Sequence, residues 1–172
     1  GDGGFCHIDQ NNPLIQVTSF TGTSLSVSQN GGKSFGSFFN FGGGSFINPT
    51  DYDNNSGVFY AGFSDGAILR WAGLGAGRQD ADLVFGFQGV VTAVTTAPNT
   101  ADRVWIGLRS RGTGTSIAYI DGAASAAPSV VTLTPPADMF PGAPTHRESC
   151  DHRMGGCSGC LPGELNPSGD CG

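Results

Sequence analysis

The residues best suited to chemistry lie near the C-terminus, where Cys150, His152, Cys157 and Cys160 cluster and Cys171 follows. Thiolate and imidazole are the ligands zinc prefers, so such a cluster suggests a metal site. The spacing matches no standard finger or knuckle. The competing use is oxidative: Cys150, Cys157, Cys160 and Cys171 pair into two disulfides, with three pairings that the sequence leaves open. Disulfides are the reading taken here, with Cys6 as the odd thiol whose partner lies elsewhere, and with no metal and no cofactor. Cys157-Ser158-Gly159-Cys160 runs into Leu161 where covalent haem attachment requires His, and no βαβ context supports a thioredoxin-like role.

Two smaller constellations stand outside this cluster. Cys6 beside His7 suggests a nucleophile with a base, although a half-buried strand histidine is the plainer use of His7. Asn54-Asn55-Ser56 is a glycosylation sequon in an expected loop.

The elements that must carry these residues are short strands. Glycine supplies 29 of 172 residues, well above the usual ~7%, and charged residues only 13%, about half the usual share. That mixture suits many strands and tight turns. No window keeps a 3.6-residue apolar period, and Pro or Gly interrupts almost every candidate helix. The expected fold is all-β. A 38% hydrophobic content is enough for a buried core.

With one Lys, seven Arg and a net charge of −6, the chain has no basic patch to neutralise phosphates, so nucleic acid is not an expected partner. No stretch approaches the ~20 apolar residues of a membrane-spanning helix. The opening Gly1-Asp2-Gly3-Gly4 lacks an initiator Met, which reads as a processed form or a piece of a longer chain. The cysteine tail, the scarcity of Lys and the abundance of Asn, Ser, Thr and Gly point to an extracytoplasmic location: secreted, periplasmic or on the cell surface.

One turn stands out. Ser28-Gln29-Asn30-Gly31-Gly32-Lys33-Ser34-Phe35 places Asn and Gly, which tolerate positive φ, where a strand must reverse. Leu25 and Val27 alternate before it as in a half-buried strand, and Phe35 stands where an aromatic folds back over the turn. The segment is also the first of three similar units. Leu14, Val58 and Val104 align at offsets of 44 and 46 residues. Each unit runs from an apolar strand through an Asn/Asp/Pro loop to a strongly apolar strand, a Gly turn and a third strand. The second unit's first strand is expected at 46–51, and fourth strands are expected at 38–41, 83–85 and 130–133.

Turn and repeat together resemble Asp-box, or BNR-type, β-propellers of the sialidase and sortilin kind. Ser28, Asn30, Gly32, Ser34 and Phe35 fit the Ser-x-Asp-x-Gly-x-Thr-Trp pattern, with Asn for Asp, Ser for Thr and Phe for Trp. Ile8-Asp9-Gln10-Asn11-Asn12-Pro13 and Tyr60-Ala61-Gly62-Phe63-Ser64-Asp65-Gly66 are similar to further stretches of such blades. The resemblance implies a partial propeller of four-stranded antiparallel blades over 1–134, divided at about 1–45, 46–89 and 90–134. Residues 135–172 follow as a Pro/Gly linker and cysteine-rich disulfide tail. A β-sandwich is the alternative with similar strand spacing.

Propellers close with four to eight blades, so three leave two apolar faces open. The expected partner is therefore a protein, further blades that complete the ring, or other copies of the chain. The resemblance also raises glycoside hydrolysis, which needs two carboxyl groups at a set separation. Asp2, Asp9, Asp65 and Asp121 fall near expected strand ends, where Asp commonly caps its own turn, and Glu148 and Glu164 lie in the tail. A sialidase also uses three arginines on one face, and nothing in the sequence brings Arg70, Arg103, Arg109 and Arg111 together. The leading reading is a non-enzymatic scaffold or protein-binding subunit of a larger assembly. A fragment of a carbohydrate-active hydrolase and an extracellular filament or matrix subunit are its rivals.

Overall fold

The computed structural model describes residues 3–74, 80–84, 87–110 and 114–133. Among them, twelve strands make three four-stranded antiparallel sheets. The first holds β1 (Cys6–Ile8), β2 (Gln16–Ser19), β3 (Ser24–Ser28) and β4 (Ser37–Asn40). The second holds β5 (Thr50–Asp53), β6 (Val58–Gly62), β7 (Ile68–Ala72) and β8 (Asp80–Val84). The third holds β9 (Val90–Thr96), β10 (Val104–Ser110), β11 (Gly114–Asp121) and β12 (Ser129–Leu133). Each sheet is a meander in chain order, with β5 touching both β1 and β9. The fold is all-β, with three antiparallel sheets following one another along the chain, as in a partial propeller or a layered sandwich.

Side-chain alternation explains why the sheets stack. In β3, Ser-Leu-Ser-Val-Ser turns Leu25 and Val27 to one face, where both are buried. They join Ile15 and Val17 against Phe59, Ala61, Leu69 and Trp71 of the second sheet. Phe39 and Phe41 meet the Trp71 ring edge-on at 4.7 and 5.3 Å. The opposite face of the second sheet sends Val58, Tyr60 and Ile68 into a second core with Val104, Ile106, Leu108, Ala118 and Ile120. Strand β6 is therefore buried at every residue. At Gly62 an added Cβ would come within 3.1 Å of Val91 and 3.2 Å of Pro49, so glycine permits the close seating of β9.

Two expectations need correcting. Phe46 and Ile47 do not begin the second sheet: they are 65% and 48% exposed, and the strand starts at Thr50. Pro49 has no N–H to give a ladder, while buried Asn48 donates from Nδ2 to Gly62 O at 2.7 Å and accepts from Ser45 N–H at 3.0 Å. The repeat also has a different register. His7 pairs with Val17 on the face toward the second sheet, Asp51 with Tyr60 on the face toward the third, and Thr95 with Trp105 on the third sheet's outer face, so His7, Asp51 and Thr95 hold corresponding places. Val58 and Val104, aligned by sequence, enter the same core from opposite sheets. A slip of one residue turns a strand side chain to the other face.

His7 stitches the first seam. Its Nε2 lies 2.8 Å from Thr50 Oγ1, its Nδ1 lies 3.7 Å from Asp51 Oδ1, and its ring meets Phe59 edge-on at 5.8 Å. Burial pushes its pKa below the ordinary value, partly countered by the Asp51 carboxylate. The unfolded chain then takes up a proton more readily than the folded one. Stability is intact above the ordinary histidine pKa of about 6.5 and falls as pH drops through it toward the lowered folded value. Thermal melts followed by circular dichroism at pH 7.5 and about 5.5 should show a His7-dependent loss under about 1 kcal/mol, allowing for solvent screening. His7→Gln should reduce the difference between the two pH values.

Candidate functional site

The turn after β3 is knit by its own polar side chains. Ser28 Oγ accepts from the N–H groups of Gly32 at 2.9 Å and Asn30 at 3.3 Å, and donates to Asn30 Oδ1 at 2.9 Å. Asn30 Oδ1 also accepts from Ser34 N–H at 3.0 Å, and its Nδ2 donates to Ser34 Oγ at 2.8 Å. Gly31 and Gly32 have φ of +72° and +79°, and Gly31 N–H donates to Leu14 O at 3.0 Å. The turn is thus tied to the β1–β2 connection. Phe35 behaves otherwise than expected: it is 41% exposed, while the aromatic contacts of this seam come from Phe39 and Phe41. Ser28, Asn30, Gly32 and Ser34 form the staple, and Phe35 extends it toward solvent.

A cleft of about 580 Å³ lies where the first two sheets meet, lined in part by Cys6, His7, Asp51, Tyr52 and Asn54. Asp51 is the carboxylate lining it, and Asp9 and Asp53 lie nearby in sequence. Asp51 Oδ2 accepts from Thr96 N–H at 2.7 Å and Thr96 Oγ1 at 3.0 Å, joining the second sheet to the third. Asp9 accepts from the Asn11 and Asn12 N–H groups at 2.8 and 3.1 Å and from the Tyr52 hydroxyl at 3.0 Å. Burial and the Asp9 hydrogen bond push the Tyr52 pKa up. Buried Asp53 accepts from Asn55 N–H and the Ser56 hydroxyl. Asn54, of the sequon, accepts from Gln10 N–H at 2.7 Å. Cys6 and His7 neighbour each other on a strand, so they point to opposite faces. Cys6 is exposed and free among the described residues.

Asp82 and Asp121 are engaged too. Arg70 grips both Asp82 oxygens and the carbonyls of Ala123 and Ser125, bridging the second and third sheets. The Arg70 hydrogen bonds hold the Asp82 pKa below the usual carboxylate range. Arg103 does the same for Asp121 with bonds of 2.6 and 2.9 Å. Asp65 sits in a 3-10 turn at φ +59°. No group of three metal-binding side chains occurs among the described residues. Asp2, Arg111, Glu148 and Glu164, and the tail residues Cys150, His152, Cys157, Cys160 and Cys171, lie outside them.

The two outer sheet faces differ, contrary to the expectation of two apolar ones. On the first sheet the central strands present Gln16, Thr18 and Ser26, and exposed apolar groups surround them: Ile8 on β1, Phe38 on β4, and Leu14 and Phe20 just beyond the two ends of β2. On the third sheet the central strands present Trp105, Tyr119 and Ile117, with Val131 and Leu133 beside them on β12. Trp105 and Tyr119 pack at 5.1 Å, Arg103 lies 4.7 Å over the Tyr119 ring, and Ile117 and Leu133 are 50% and 41% exposed. This aromatic and aliphatic ridge was hidden in the sequence because its residues alternate with core residues of the same type. Sorting β11 by parity, Ile117 and Tyr119 against Ala118 and Ile120, is the signal that separates them.

No protein family, curated protein or solved structure matches this chain. The side chains that knit the turn act on the chain's own backbone, so Asn30→Ala should lower unfolding free energy by roughly 1–2 kcal/mol in urea titrations. Gly32→Ala should also destabilise, because its φ is left-handed and its Cβ would stand 2.7 Å from Gln16 Oε1.

Proposed function

We propose that this chain is a non-enzymatic, extracytoplasmic scaffold of the Asp-box propeller type that works by docking protein onto its outer sheet faces. The observation that carries the reading is the ridge of Trp105, Tyr119, Ile117, Val131 and Leu133 on the third sheet. Burying such side chains is worth about 1.5–3 kcal/mol each, and aromatic groups dominate interface energetics. The roles of the carboxylates favour the same reading. Asp9, Asp51, Asp53, Asp82 and Asp121 are engaged in turns and seams, where a glycosidase needs an acid and a partner converging on bound sugar.

Hydroxyl-radical footprinting of the protein from its natural source, compared with the dissociated chain, tests this directly. The docking reading expects Trp105 and Tyr119 to be several-fold less oxidised in the native assembly. Equal oxidation in both states overturns it.

A further inference from the structure

Accepting the docking reading, we propose that its partner is a second copy of this chain. The third sheet of each copy packs on the first sheet of the other, so that two copies close a six-bladed ring about a two-fold axis. Four observations lead there.

The faces differ in character. Trp105, Tyr119 and Ile117 make the central strands of the third sheet apolar, whereas Gln16, Thr18 and Ser26 make the centre of the first sheet polar. The margins match as well. Ile8 on β1 comes opposite Thr95 and Ala93 on β9, and Phe38 on β4 comes opposite Val131 and Leu133 on β12. A buried indole N–H and phenol O–H need partners, and the centre of the first sheet offers the Thr18 and Ser26 hydroxyls.

The contact also continues the seams inside the chain. His7 of the first sheet reaches Thr50 of the second, and Asp51 of the second reaches Thr96 of the third. Thr95 holds the equivalent place on the third sheet, on its outer side, with an exposed hydroxyl. The numbers close. Three blades from each of two chains make six, within the four to eight that propellers use, and a head-to-tail contact repeated about a two-fold axis leaves no open end.

The area suffices too. Four strands about 4.8 Å apart and ~5 residues long give a face of roughly 300 Å², so two contacts bury on the order of 1,200 Å², at the threshold of a stable interface. Pairing third sheet with third sheet would instead set ridge on ridge and bring two Arg109 side chains into one contact.

Sedimentation equilibrium on the full chain tests this from micromolar to roughly 100 micromolar. The wild type is expected to be a dimer. Trp105→Asp on one face and Ser26→Arg on the other should each weaken dimerisation by about 100-fold or more, because every contact uses both faces. Mixing the two variants should give pairing weaker than wild type but tighter than either variant alone, because only the mixed pair keeps one contact with both faces intact. Ile117→Lys, at an exposed position, repeats the third-sheet test, and unchanged circular dichroism melts establish that each variant is folded.

A wild type monomeric throughout, or a dimer indifferent to both Trp105→Asp and Ser26→Arg, overturns the proposal. So does a dimer broken by Trp105→Asp but indifferent to Ser26→Arg, which marks pairing of third sheets. A monomer whose Trp105 is still protected in the native footprint leaves the docking reading standing with a different partner. Loss of that protection removes both.

Discussion

Strand β6 is buried at all five residues, and that constraint organises the described chain. A sheet with apolar side chains on both faces cannot meet water on either, so the second sheet needs a sheet on each side. Phe59 and Ala61 require the first, and Val58 and Tyr60 require the third. The neighbours inherit a weaker form of the problem, since each has one face satisfied by the second sheet and one face left over. What distinguishes them is how the remaining face is composed. The first sheet fills its centre with Ser, Thr and Gln, and the third keeps Trp, Tyr and Ile.

The seams are apolar in the middle and polar at the rim. His7, Asp51, Thr50 and Thr96 link the first strands of neighbouring sheets, while Arg70 links the second sheet to the Ala123 and Ser125 carbonyls. The described acidic side chains at the seams are matched by backbone N–H groups, hydroxyls or arginine, and each is fixed in place. His7 and Asp51, at the edge of the cleft, are thus each bonded across a seam between sheets.

Much of the fold was legible because strand alternation and turn chemistry are local. Leu25 and Val27, the Asn30-Gly31-Gly32 reversal and outer strands overlapping 38–41, 83–84 and 130–133 needed only neighbouring residues to be read, residue 85 lying outside the described residues. The parts that were misread depend on partners far along the chain. Phe46 and Ile47 look like a strand start until Asn48 is seen to bond Gly62. Phe35 looks like the cover of its turn until Phe39 and Phe41 are seen on Trp71. Val58 and Val104 align by type, yet they meet across a seam. The ridge on the third sheet was invisible for the same reason: sequence shows that Trp105 and Ile106 are both apolar, and only the stacking order says which is covered.

That stacking order also bears on how an open series of sheets avoids uncontrolled growth. A head-to-tail contact propagates indefinitely unless the rotation accumulated along the series returns it to its start. Sheets that met only through apolar area would leave that rotation loosely fixed, because hydrophobic contact has no direction. Directional bonds at the rims, His7 to Thr50 in one seam and Asp51 to Thr96 in the next, fix each sheet's angle to its neighbour. On the proposed reading the same device sets the final contact, and the polar centre of the first sheet adds a second restraint. It accepts a ridge whose Trp and Tyr bring hydrogen-bonding groups, and it disfavours a uniformly apolar face that would bury the Thr18 and Ser26 hydroxyls against carbon.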